Sequence, residues 1–320
     1  MTVRIEPGLH QGEQAQASLG RGLRRVRTRQ RRGLMWALQR LNLTVGGLLI
    51  GTLLLTALFA PLLAVASPDA IAPASRFQPP GLAHPFGTDG LGRDLFSRVV
   101  YGARTALQMA VPAVMIGSFA GIILGLLAGY YCGTLDQILS RMMDAWLALP
   151  GLLLAIVFVA LLGPSLQTTV IALGLVGIPG YYRMVRNGTL SAREMLYVEA
   201  ARTLGLGDGR ILLRHILPNL TSPLVVLITL RLGTVILAGG ALSFIGLGAQ
   251  PPTPEWGALL ASGRDSMDRA WWVAFFPGMA ITASVMGFNL LGDGLRDLLA
   301  PEMAQEYRTH AGADEDEGRS

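Results

Sequence analysis

The 320-residue chain is 51% hydrophobic and only 15% charged, with a mean hydropathy of +0.46, whereas soluble domains carry about 25% charged residues. Its formal net charge is +5, and its 26 basic residues are all arginine, so it can hold no P-loop, kinase-type or Schiff-base lysine, and any ATP it depends on is bound by another chain. One cysteine, Cys132, and four scattered histidines (His10, His84, His215, His310) exclude an internal disulfide, a cysteine-based metal cluster and an HExxH site, and neither metal nor cofactor is expected.

Residues 1–42 are polar and carry seven arginines within RGLRRVRTRQRR (Arg21–Arg32). They read as a flexible arm that rests against anionic lipid on the cytoplasmic side. No aromatic residue interleaves the run and a greasy tract follows at once, so nucleic-acid binding is not expected. That first apolar tract begins after about forty residues, and it is too long for the h-region of a secretory signal.

Long charge-free tracts then predict an all-α membrane protein. Leu41–Pro68 is the first span and Thr105–Leu135 the second. Ala145–Tyr182 holds 38 residues, about 57 Å as a helix against a hydrocarbon core of about 30 Å. Gly163-Pro164 marks a turn near its middle, so it divides into spans at 146–162 and 166–182. Ile216–Pro254 contains the fifth span, with Arg231 its one charge, and Ala270–Gly292 is the sixth. With both termini cytoplasmic, inside segments hold nineteen arginines and outside segments six, the bias expected of this orientation. The chain thus divides into the arm (1–42), a first span with an extracytoplasmic loop (43–104), a five-helix core (105–300) and an acidic cytoplasmic tail (301–320). In the outer loop, HPFGTDGLGRDLFSRVVYGAR places turns at Gly87, Gly90 and Gly92. Leu95, Phe96, Val99 and Val100 then predict a short helix lying in the membrane interface.

Between spans four and five the chain turns polar. Ser191 and Glu194 have capping-box spacing and predict a helix over 192–204, with Glu199 and Arg202 placed to pair and Ala200 and Ala201 forming a small flat patch. Gly205 and Gly207 end it. Asp208 is placed to cap a second helix over 209–217, which Pro218 and Pro223 close. Two capped helices about a glycine joint form a segment suited to docking.

These residues resemble the EAA loop of the membrane subunits of bacterial ABC importers. The match falls on Glu199, Ala200, Ala201, Gly205, Leu217 and Pro218, with His215 in a slot the family gives to isoleucine. RHILPN, HPFGTDGLGRDLFSRVVYGAR, GLGAQPPTPEWG (Gly246–Gly257) and NLLGDGLRDLLAP (Asn289–Pro301) resemble the dipeptide/oligopeptide/nickel branch, in the second of its two paired permease types. The likeness covers about 80–300. It implies a type I importer permease in the bacterial cytoplasmic membrane, itself non-catalytic. It also implies a heterodimer with a second permease, two ATPase subunits that bind ATP and Mg, and an extracytoplasmic substrate-binding protein. The loop 191–219 would be the coupling helix that fits a groove on the ATPase, with His215 among its contacts.

Three further residues are candidates. Arg231, at mid-depth, is expected to turn inward; it reads as a pore-facing site for a peptide carboxylate, or as paired with a carboxylate on the second subunit, or as snorkelling. Glu255 and Trp256, in the Pro-rich outer loop, are candidates for contact with the binding protein, or a turn with an interfacial anchor. Asp293 and Asp297 read as a solvated helix end. An ion-coupled carrier would place carboxylates or histidines within spans, and an intramembrane enzyme would place a nucleophile and base there; this sequence has neither set. Dipeptides, longer peptides, nickel chelates and glutathione-like molecules are all cargoes of the branch, and GAQPPTPEWG tilts the reading to dipeptides.

Overall fold

The computed structural model describes residues 41–299; the predicted arm, save its last two residues, and the acidic tail lie outside the described residues. The described chain is helical, with a single isolated β-bridge between Thr88 and Asp94. The helices are α1 (Leu41–Leu58), α2 (Leu95–Tyr131), α3 (Gly133–Leu147), α4 (Gly151–Leu162), α5 (Leu166–Arg193), α6 (Leu196–Thr203), α7 (Asp208–Phe244), α8 (Trp256–Arg264) and α9 (Trp272–Leu299). Five of them, α1, α2, α5, α7 and α9, are long and apolar enough to cross a membrane. The pair α3 and α4 meets the same test jointly but bends by 88° at the break between them.

Glycine sets the tightest seam. Gly117, Gly121, Gly125 and Gly129 recur every fourth residue along one face of α2. A Cβ added at each would lie between 2.7 and 2.9 Å from the backbone oxygens of Gly174, Ile178, Tyr182 and Arg186 on α5. Only glycine allows two helix backbones this close, and the approach supplies the dispersion that lipid-facing helices cannot obtain from the hydrophobic effect. Both series ascend together, so α2 and α5 run parallel. Elsewhere the order reverses. Gly180 and Gly188 of α5 meet Arg231 and Leu220 of α7, Gly292 and Gly233 pair α9 with α7 through Leu230 and Phe288, and Gly294 packs on Leu43 of α1. These antiparallel pairs bring the start of α1, the ends of α2, α5 and α9, and the start of α7 to one face. The stretch 132–165, with α3 and α4, carries the chain back from that face to the start of α5.

Several expected boundaries move. Leu95, Val99 and Val100 do not form a separate interfacial helix. They are buried in the first turns of α2, whose N-cap Asp94 accepts from Ser97 N–H. Pro112 does not break α2. The helix ends at Cys132, in the left-handed region at φ 54°, so the second span stops before Leu135. The third span is not one helix over 146–162: Pro150, at the N-cap of α4, fixes a corner after α3. The fourth begins at 166 as expected, because Ser165 and Thr168 form a capping box there. It runs on to Arg193, eleven residues past its expected end.

Candidate functional site

The shared face carries the loop read as a docking segment. Ser191 caps nothing: it lies inside α5, and α6 starts at Leu196 after Met195, with no side-chain cap. The C-terminal prediction holds at Gly205 but not at Gly207, which has φ −66° and stands at the N-cap of α7. Gly205 has φ 76°, Leu206 N–H donates to Ala201 O at 3.1 Å, and Gly205 N–H donates to Arg202 O at 2.9 Å. This paired pattern is the Schellman ending that requires a left-handed residue.

Asp208 also departs from expectation. Its carboxylate does not cap a helix; it accepts a hydrogen bond from the Tyr130 hydroxyl at 2.8 Å. Nor does the second helix close at Pro218. The chain winds through a wide turn at Leu212–Ile216 and a tight one at Leu217–Leu220, then continues as α7 to Phe244. A proline lacks the N–H and crowds the preceding turn, and a wide turn absorbs both effects without ending the rod. Leu217 and Pro218 therefore belong to the root of α7, with Pro218 exposed and His215 and Leu217 half-buried.

The face of α6 is mixed. Val198 and Ala201 are buried, so the small patch is Ala200 alone rather than both alanines. Glu199 is exposed beside Ala200. Arg202 does not pair with it: the guanidinium stacks on the Tyr130 ring, 4.9 Å from its centroid, with Nε 3.4 Å from the hydroxyl. Arg193 reaches Tyr130 O at 3.1 Å. Tyr130, at the end of α2, thus gathers the end of α5, α6 and the start of α7. On this loop and the first turns of α7, Leu196, Leu204 and Leu213 stand 82%, 79% and 63% exposed, large apolar side chains of the kind that contact surfaces present.

On the opposite face the loop motif folds into a buried polar cluster. Asp89 accepts from Leu91 N–H, Arg93 N–H and Arg93 Nε. Asp94 holds the His84 ring at 2.8 Å. Arg98 donates to Pro68 O at 2.7 Å. Glu255 and Trp256 join this interior. They are only 2% and 3% exposed, so they are not surfaces for a binding protein in this conformation. Glu255 caps α8 by accepting from Ala258 N–H at 2.9 Å, and Trp256 Nε1 donates to Val99 O at 2.8 Å. Burial pushes the Glu255 carboxyl above its ordinary range, against the smaller opposing pull of its backbone hydrogen bonds. Gly102 receives the Trp256 indole, and any side chain there would collide with it.

Arg231 sits midway along α7, in a cavity of about 270 Å³ between α2, α4, α5 and α7. Tyr181, whose hydroxyl is buried without a partner, lines the same cavity. Sequence reading missed Tyr181 and the Tyr130 anchor. The glycine ladder was readable as GSFAGIILGLLAG; a lone tyrosine at a helix end carries no such pattern. No group of three or more potential metal ligands occurs among the described residues.

Comparison with known proteins agrees with this architecture. Residues 121–305 match the family model described as binding-protein-dependent transport system inner membrane component. The chain is 48% identical over 259 residues to a dipeptide transport system permease protein of Alkalihalophilus pseudofirmus, covering 81% of this chain and 85% of the relative. It is 44% identical over 270 residues to a probable D,D-dipeptide transport system permease protein of Escherichia coli (84% and 91% covered). It is 48% identical over 224 residues to a glutathione transport system permease protein of Pectobacterium atrosepticum (70% and 74% covered). With its five to six apolar helices, this is a multi-pass inner membrane protein, and the chain belongs to the family of binding-protein-dependent transport system inner membrane components.

Proposed function

We propose that the chain is the permease subunit of an ATP-driven importer of dipeptides or short oligopeptides, acting with a second permease, two ATPase subunits that carry ATP and Mg, and an extracytoplasmic binding protein. The observation that carries this reading is α6 itself. It is a short helix with an exposed apolar rim, anchored through Tyr130 to the ends of three core helices. Such an element transmits a push from a partner that binds the rim. Glu199, Ala200 and Gly205 supply its outer surface and its hinge. His215, Leu217 and Pro218 form the root through which motion enters α7. The dipeptide names of two relatives support the substrate class, and the glutathione name of a third supports a γ-linked peptide as the second reading.

Six crossings fit the packing. Parallel α2 and α5 support a crossing of the bilayer by the intervening chain, through the bent pair α3 and α4. The arginine bias supports placing α6, and both termini with it, in the cytoplasm. ATP-dependent uptake of a labelled dipeptide by the reconstituted complex, with and without the binding protein, tests the proposal. Uptake that proceeds without ATPase subunits would refute it in favour of a secondary carrier.

A further inference from the structure

We propose that the cavity between α2, α4, α5 and α7 is a transient site for the carboxylate of the peptide in passage, with the Arg231 guanidinium as its cation and the Tyr181 hydroxyl as its second donor. This deepens, and rests on, the peptide-importer reading.

Arg231 has no ion-pair partner among the described residues. Its stem reaches neither end of the regular helix, since Thr221 and Phe244 lie about 15 Å and about 20 Å away along the axis. Its guanidinium instead lies across Gly180, where any side chain would collide with it. The glycine therefore makes room for the charge at this depth.

Beside it, Tyr181 is 1% exposed and its hydroxyl meets no acceptor or donor, although buried phenols ordinarily find one. The remaining walls are mostly apolar, among them Ala113, Leu173, Val176 and Val235; Thr234 adds a hydroxyl that already donates to Leu230 O at 3.1 Å. The volume, about 270 Å³, lies near the lower bound of small-molecule sites. A cation and an idle hydroxyl in a largely apolar pocket are complementary to a carboxylate, which a guanidinium binds through paired, charge-assisted hydrogen bonds. One charge with one hydroxyl holds the ligand loosely, as a conducting path requires.

The test uses the complete transporter in proteoliposomes, with its binding protein saturating. Uptake is followed for a labelled dipeptide and for the same dipeptide amidated at its C-terminus, and ATP hydrolysis is measured in parallel. Wild type is expected to move the free acid about tenfold faster than the amide, and Arg231→Met to lose that difference by slowing the acid about tenfold. Peptide acid moved per ATP hydrolysed should fall with the acid rate. Tyr181→Phe, an isosteric change that removes an idle polar atom, is expected to raise the melting temperature while slowing uptake of the acid severalfold. Equal uptake of acid and amide in wild type, or an unchanged acid rate in both variants, would overturn the proposal. So would loss of complex assembly in Arg231→Met with normal uptake by Tyr181→Phe, which would make Arg231 the partner of a carboxylate on the second subunit. A wild-type complex that moves no peptide would remove the importer reading itself, and this proposal with it.

Discussion

Gly205 is the position where a small backbone change should produce a large functional one. Its φ of 76° places it in the left-handed region, and a Cβ built there meets nothing within 4 Å. Substitution therefore acts through backbone conformation alone. For alanine the left-handed cost is about 1–2 kcal/mol, a factor of about 5–30 in the population of the hinge geometry. Asparagine tolerates this region better and should cost less. Proline is excluded more strongly. Its ring holds φ near −65°, about 140° away. It removes the N–H donated to Arg202 O, worth about 1 kcal/mol, and it disfavours the near-helical angles of Leu204 (φ −74°, ψ 1°). The combined penalty exceeds about 3 kcal/mol, enough to empty the native hinge. Dipeptide uptake should fall in the order glycine, asparagine, alanine, proline, with Gly205→Pro inactive. Membrane content by immunoblot should stay constant, because Gly205 is exposed and a side chain there meets no neighbour. Wild-type uptake by Gly205→Pro would show that the hinge angle is irrelevant to coupling.

Three further outcomes follow from the same geometry. Tyr130→Phe keeps the ring under Arg202 but removes the hydroxyl that binds Asp208; loosening this part-buried anchor by about 0.5–1.5 kcal/mol should lower peptide moved per ATP hydrolysed severalfold, and an unchanged ratio would refute the anchor. Gly121→Ala places a Cβ 2.5 Å from Tyr181 Cβ and 2.8 Å from Ile178 O. Parting the seam by up to 1 Å forfeits about 2–4 kcal/mol of dispersion, offset by about 1 kcal/mol of helix propensity. Gly47→Ala, with nothing within 4 Å, should instead be neutral or stabilising, so equal melting temperatures for the two would sink the close-packing account. Glu255 has a raised folded pKa, so the native state holds its proton more tightly than the unfolded chain, and stability declines as pH rises from about 4.5 through the raised value. Glu255→Gln should flatten that part of the stability profile in detergent, whereas a superimposable profile would show that the carboxyl is not the titrating group.

What the sequence revealed and what it hid divide along physical lines. Span existence was legible because hydrocarbon demands long charge-free helices. The start of α5 and the ending at Gly205 were legible because caps and left-handed glycines act locally. Helix lengths were not. Leu95, Phe96, Val99 and Val100 read as a separate amphipathic segment, but contacts of Val99, Arg98 and Ser97 with Trp256, Pro68 and the backbone of Ala66 fix it as the first turns of α2. Pro218 read as a stop, yet an adjoining wide turn let the helix continue. Glu255 and Trp256 were recognisable as unusual in a Pro-rich loop. Whether an unusual residue faces a partner or fastens its own fold depends on burial, which no local pattern encodes. Tyr130 was invisible because its role arises only when the ends of α2, α5 and α7 meet.

That meeting bears on how a force at the docking loop reaches the cavity. α6 is joined to α5 at Arg193 through two intervening residues and to α7 through the hinge at Gly205. These are the two antiparallel helices that carry Tyr181 and Arg231. α5 is locked to α2 by the parallel glycine ladder, so those two move as one body; across the other seam, Gly180 of α5 contacts a long flexible arginine rather than backbone. The rigid seam and the adaptable seam lie on different sides of α5. Displacement of α6 is therefore not dissipated in the α2–α5 pair. Under the proposed coupling it would appear as relative motion of α5 and α7 where the guanidinium lies between them, and the charged group proposed to meet the cargo would sit on the joint that the lever opens.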